Sequence, residues 1–125
     1  MIRRRRWSRR CYEAALRALW AANDAGLDPH LVHGMTRGIS GIAHVHDHAW
    51  VEVGAYVIDL TQGEAPIPRA DFYAANQIDA ASVSRYAAPE ASRLVISRNS
   101  CGPWPDATPP AAPSQTQTQT QNPNT

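Results

Sequence analysis

The sequence predicts a small α+β domain in which an N-terminal helix packs on an antiparallel sheet. Three observations point to it. Residues Arg9 to Ala25 are rich in Ala, Leu and Arg, and Tyr12, Ala15, Leu16, Leu19 and Trp20 recur at helical spacing. From about Ile42 to Leu60 the chain alternates side-chain character around Gly54, as a β-hairpin does. After Asp106 the composition changes to Pro, Ala and a Gln-Thr repeat that cannot bury a core. The expected organisation is a disordered basic leader over 1–7, one domain over 8–105, and a disordered tail over 106–125.

Ser8 is the expected N-cap of the helix and Gly26 its stop. Cys11 then falls in the first turn. Unpaired backbone N–H groups and the helix dipole favour a thiolate there. Cys11 continues into Ala15, Ala18 and Ala22, a face of small residues that another element can approach closely. The alternative is that Cys11 is a small buried hydrophobe.

His30-Leu31-Val32-His33 is an expected strand closed by Gly34, and Met35 to Gly41 a glycine-containing loop. The hairpin follows, with strands Ile42–Val53 and Ala55–Leu60 and a turn at Val53-Gly54. In that register His48 faces Asp59 across the strands, and Trp50 and Glu52 share their face. The opposite face carries Ala49, Val51, Val53, Tyr56, Ile58 and Leu60 and is expected to be core. Glu52 is expected to be exposed and without a role. Trp50 either walls a substrate site or packs on the helix bearing Cys11. Beyond Thr61 the pattern suggests a proline-containing loop, a short helix over Ala70–Asn76 capped by Asp71, and strands over Val83–Tyr86 and Arg93–Ser97.

An imidazole beside a carboxylate is two thirds of a nucleophilic triad. Two cysteines are available as nucleophile, Cys11 and Cys101. Cys101 is followed closely by Pro103 and Pro105 and by no helical pattern, so a helix N-terminus would not support its thiolate. A different chemistry is open on the same strand. His44, His46 and His48 share one face and are an alternative zinc site, with Cys11 and Asp59 as further ligands.

Charge and hydropathy bound the remaining classes. Of twelve basic residues, six are Arg3, Arg4, Arg5, Arg6, Arg9 and Arg10, and lysine is absent. This run reads as a basic leader, or as an arm for nucleic acid or an acidic partner. No stretch approaches the roughly 18 apolar residues of a membrane span, and no apolar signal segment follows the arginines, so the expected location is cytoplasmic. Free thiols follow from that location.

Four pieces occur in order: Cys11 opening a helix, Gly26-Leu27-Asp28-Pro29-His30-Leu31-Val32-His33-Gly34, His48 in His-Ala-Trp-Val-Glu-Val, and Asp59 in Val-Ile-Asp-Leu-Thr. Over about residues 9–62 this order resembles the transglutaminase-like branch of the papain-like cysteine enzymes. The bacterial lasso-peptide leader peptidases are similar in size and in the wording of the histidine strand. The resemblance implies a minimal papain-like core with Cys11 as nucleophile, His48 as general base and Asp59 orienting the imidazole. It further implies a thioester acyl-enzyme, a peptide or protein substrate, and no cofactor.

Overall fold

The computed structural model describes residues 2–37 and 46–104. His44, much of the Met35–Gly41 loop and the 106–125 tail fall outside the described residues. Helix α1 spans Ile2–Asp24. It begins about two turns before the expected start, because the arginines ahead of Ser8 are themselves good helix formers and continue the helix toward the N-terminus. Ser8 is therefore interior and not an N-cap. The C-terminus follows expectation. Gly26 adopts φ +81°, and the N–H groups of Gly26 and Leu27 donate back to the carbonyls of Asn23 and Ala22 at 3.1 and 3.0 Å.

Five strands form one sheet: β1 (His30–Thr36), β2 (His46–Val53), β3 (Tyr56–Ile58), β4 (Ile67–Pro68) and β5 (Ser84–Ala87). Their spatial order is β4-β3-β2-β1-β5 and every pairing is antiparallel. Strand β1 runs past Gly34, which pairs with His48. A side chain at Gly34 would meet Val83 Cγ1 at 2.8 Å and the Trp50 ring at 3.0 Å. The glycine is there for room and does not end the strand.

The hairpin turn sits one residue later than expected. Val53 pairs with Tyr56 and Glu52 with Val57, with Gly54 at φ +57°. Both strands shift together, so face parity survives: Trp50, Glu52 and Val57 still point to one side and Ala49 and Val51 to the other. Tyr56 and Leu60 depart from the core assignment and are exposed. Strand β3 is short, and α1 packs chiefly over β2 and β1.

The two faces carry separate cores. On one side α1 lays Cys11, Tyr12, Ala15, Leu16, Ala18 and Leu19 against Leu31, Ala49 and Val51. Leu16, Leu19 and Leu31 are almost completely buried, each contributing roughly 2 kcal/mol. Trp20 lies off this stripe, half-exposed, and its indole donates to Ser92 Oγ at 3.2 Å. On the other side Val32, Trp50 and Val57 pack on Phe72 of helix α2 (Arg69–Ala75) and on Ile78. Asp71 lies in the first turn of α2 and makes no capping bond.

The expected strand over Arg93–Ser97 is instead part of helix α3 (Ala88–Arg98). The β-branched Val95-Ile96 pair suggests a strand, but Pro89 near the helix start and Asn99 in the left-handed region set helical boundaries. Ala88 and Ala91 are buried, while Ile96 is 81% exposed. No helix among the described residues is long and apolar enough to cross a membrane.

Candidate active site

The sequence places Cys11 at a helix start; the structure places it in the interior of α1. The dipole acts mainly over the terminal turns. An interior N–H is engaged by the carbonyl four residues back. Neither the helix dipole nor an unpaired N–H therefore supplies what the sequence suggests. Cys11 is instead buried on the sheet-facing side of α1, at 3% exposure, and is a hydrogen-bond partner of His48. The small residues Ala15 and Ala18 on the same face are buried with it, as a close approach of helix to sheet requires.

His48 is buried on β2. Asp59 lies just past the end of β3 and its carboxylate reaches His48, with Nε2 and Oδ2 2.7 Å apart. Asp59 is also held from its own loop. Thr61 donates its N–H at 3.1 Å and its hydroxyl at 2.6 Å to Oδ1, and Gln62 Nε2 donates to Oδ2 at 3.2 Å. This Asx-type turn fixes the carboxylate before it meets the imidazole. The shift of the hairpin moves Asp59 along the strand from its expected position opposite His48, and the turn restores the contact.

The electrostatics agree with this geometry. Burial pushes the Asp59 carboxyl up, but the bonds from His48 and Thr61 outweigh it and hold Asp59 below its ordinary value. An ionised Asp59 only accepts, so His48 Nε2 carries the proton and Nδ1 is left to Cys11. Burial alone would lower His48. Hydrogen bonds to Asp59 and Cys11 and their charges reverse that and raise it to about 9.

Trp50 is wholly buried and packs on α2, not on the Cys11 helix. Its ring stacks on His48 with centroids 6.0 Å apart, and its indole N–H donates to Glu52 Oε2 at 3.1 Å. Glu52, expected to be exposed, is 4% exposed. The Tyr73 hydroxyl donates to it, Arg85 Nε donates to Oε1 at 3.2 Å, and Arg69 Nη1 lies 3.6 Å from Oε1. The partners that bury Glu52 come from α2 and β5, far along the chain, so strand alternation could not reveal them. Thr61 was findable: a threonine two residues after an aspartate is the signature of such a turn.

His46 stands beside His48, ring centroids 6.2 Å apart, while His44 lies outside the described residues. Among the described residues no three His, Cys, Asp or Glu side chains are gathered as a metal ligand set. Cys101 is half-buried and lies beyond the end of α3, where it opens no helix.

The family model described as the Transglutaminase-like superfamily matches residues 1–75, which include Cys11, His48 and Asp59. Neither the curated proteins nor the solved structures yield a match.

Proposed function

We infer the function from one premise: the chain belongs to the transglutaminase-like superfamily. Its reaction is cysteine-dependent acyl transfer through a thioester. The observation that carries this reading is His48, hydrogen-bonded through Nε2 to Asp59 at 2.7 Å and also a hydrogen-bond partner of Cys11. A protonated imidazole beside a sulfur is the arrangement that activates cysteine nucleophiles.

In this reading the proton shared by Cys11 and His48 already rests on the imidazole, and Sγ bonds to the substrate carbonyl carbon. The C–N bond then breaks, and His48 gives the proton to the leaving amine. Water, deprotonated by His48, attacks the thioester and releases the acid; an amine attacking in its place yields a new amide. The first outcome is a peptidase or amidase, the second an acyltransferase. The likeness to lasso-peptide leader peptidases favours a peptide bond as the target. Asp59 keeps the imidazole in the orientation and tautomer both transfers need.

Alkylation tests this. Iodoacetamide at neutral pH should modify Cys11, and His48→Ala should slow that modification at least about tenfold, by weakening thiolate formation. Cys101→Ala should leave the Cys11 rate unchanged. A wild-type protein in which Cys11 is inert overturns the reading.

A further inference from the structure

On the α2 side of the sheet lies a cavity of about 550 Å³, lined by Arg69, Tyr73 and Arg85 and by the small apolar side chains of Ala55, Pro68 and Ala80. That volume lies within the usual range of ligand sites. The lining carries two guanidinium groups and no carboxylate. Glu52, buried behind it, balances one of the two charges, so the site keeps one net positive charge. Glu52 also holds the arginines in place. Arg85 is bonded through Nε to Glu52 and through Nη2 to the Tyr73 oxygen at 3.1 Å, and Arg69 approaches the same carboxylate. Both arginine side chains remain close to half exposed, at 45% and 40%. Among the described residues these bonds leave Arg85 Nη1 and most Arg69 donors for a ligand.

We propose that this cavity binds a carboxylate of the substrate peptide and so selects an acidic residue remote from the scissile bond. The proposal rests on the acyl-transfer reading for the word substrate; the binding itself does not. One net positive charge matches one carboxylate better than a phosphate dianion. Arg69 presents a guanidinium fork of paired donors in carboxylate geometry, and Arg85 adds Nη1 as a further donor. Alanine and proline walls suit the methylenes of a glutamate side chain. Glu52 and His48 are four residues apart on β2, about 13 Å. An extended peptide needs at least about four residues to cover that span. Cys11 lies on the α1 side of the sheet and the cavity on the α2 side, so the acidic residue is at least that far from the bond that is cleaved.

The test uses the full-length Cys11→Ala protein, which binds without turnover. The probe is a fluorescein-labelled ten-residue Gly-Ser-Ala peptide with one central Glu and an amidated C-terminus, read by anisotropy. Its Gln counterpart, and the Gln peptide with a free C-terminus, are measured alongside. The Glu peptide should bind at least about tenfold more tightly than the amidated Gln peptide, the step one charge-assisted contact supplies. Recovery of affinity by the free C-terminus would identify a terminal carboxylate as an equally good occupant, within the proposal. Arg69→Gln should remove the Glu preference while the thermal melt stays cooperative; Arg85→Gln, if folded, should do the same. Equal binding of Glu and amidated Gln peptides overturns the proposal, as does no saturable binding to about 5 mM, the weak end of specific affinity. Displacement of the Glu peptide by equimolar inorganic phosphate overturns the carboxylate assignment. Alkylation of Cys11 in the wild-type protein is read separately, so failure of the pocket and failure of the acyl-transfer reading are distinguishable.

Discussion

One face of strand β2 buries two carboxylate partnerships, one near each end, and their chemistry differs. Near the first, Asp59 is paired with His48 and braced by Thr61 and Gln62. Near the other, Glu52 is held by Trp50, Tyr73, Arg85 and Arg69. The two acids are almost equally buried, at 3% and 4% exposure. Burial therefore does not separate them; the partner does. Arginine stays charged at every working pH, so the Glu52 cluster is fixed. Burial and Glu52 also push the Tyr73 hydroxyl above its ordinary range, so it remains a donor. The imidazole can give up its proton, so the Asp59 cluster can move one. Trp50 lies between them, stacked on His48 and bonded to Glu52.

The contrast breaks most visibly at Cys11. Cys11→Ala should lower peptide cleavage or aminolysis by on the order of 10⁴-fold or more, with an unchanged circular dichroism spectrum. Retained turnover would leave the His48 end with no more chemistry than the Glu52 end.

Next in size is Asp59→Asn, expected to cost on the order of 10³-fold in kcat/KM by losing the orientation of the imidazole. It should also move a pH limb. His48 sits at about 9 against an ordinary 6.5, and in the proposed reaction its protonated form gives a proton to the leaving amine. Wild-type kcat/KM should therefore fall as pH rises through about 9, and in Asp59→Asn the limb should shift toward 6.5. The stability carried by raised His48 is fully present below 6.5 and lost through about 9. The share carried by lowered Asp59 is present above its ordinary 3.8 and lost on acidification. A limb that stays near 9 in the variant would assign the shift to something other than Asp59.

Gly34→Ala tests the bridge between the two ends. Its Cβ would press on the Trp50 ring at 3.0 Å and on Val83 at 2.8 Å. A loss of about 1–3 kcal/mol in urea unfolding is expected from overpacking, with turnover reduced because Trp50 carries His48. Unchanged turnover at reduced stability would uncouple Trp50 from the imidazole.

The smallest effect belongs to Arg85→Ala. Its partner Glu52 is buried, but Arg85 is itself 40% exposed. Solvent screening discounts the loss to about 1–2 kcal/mol. That loss should be the same at pH 6 and pH 9, whereas the loss in Asp59→Asn should be smaller at pH 9. Equal pH behaviour in the two variants would erase the distinction between the clusters.

Local pattern and chain order were enough to make the helix, the hairpin, the small-residue face around Cys11 and the meeting of His48 with Asp59 legible. Alternation decides faces, and a turn displaced by one residue on both strands leaves parity intact. The pattern also foresaw an apolar reverse face, though Tyr56 and Leu60 lie outside the cover of α1. Chain boundaries read less well. The arginine-rich start extends α1 to Ile2 because Arg propagates a helix, and this removes the terminus that made Cys11 attractive. The Leu94-Val95-Ile96 run misleads because its neighbours Pro89 and Asn99 outweigh its strand propensity.

Glu52 marks the divide between the two kinds of information. In sequence it is a polar residue near the end of a hairpin strand, with nothing nearby to neutralise it. Only folding brings Tyr73 and Arg69 of α2 and Arg85 of β5 over it. The sequence by itself determined which side of the sheet each residue takes, because backbone alternation is local. The tertiary structure decided which carboxylate meets a titratable partner and which meets arginine, because charge pairing depends on elements that only packing brings together.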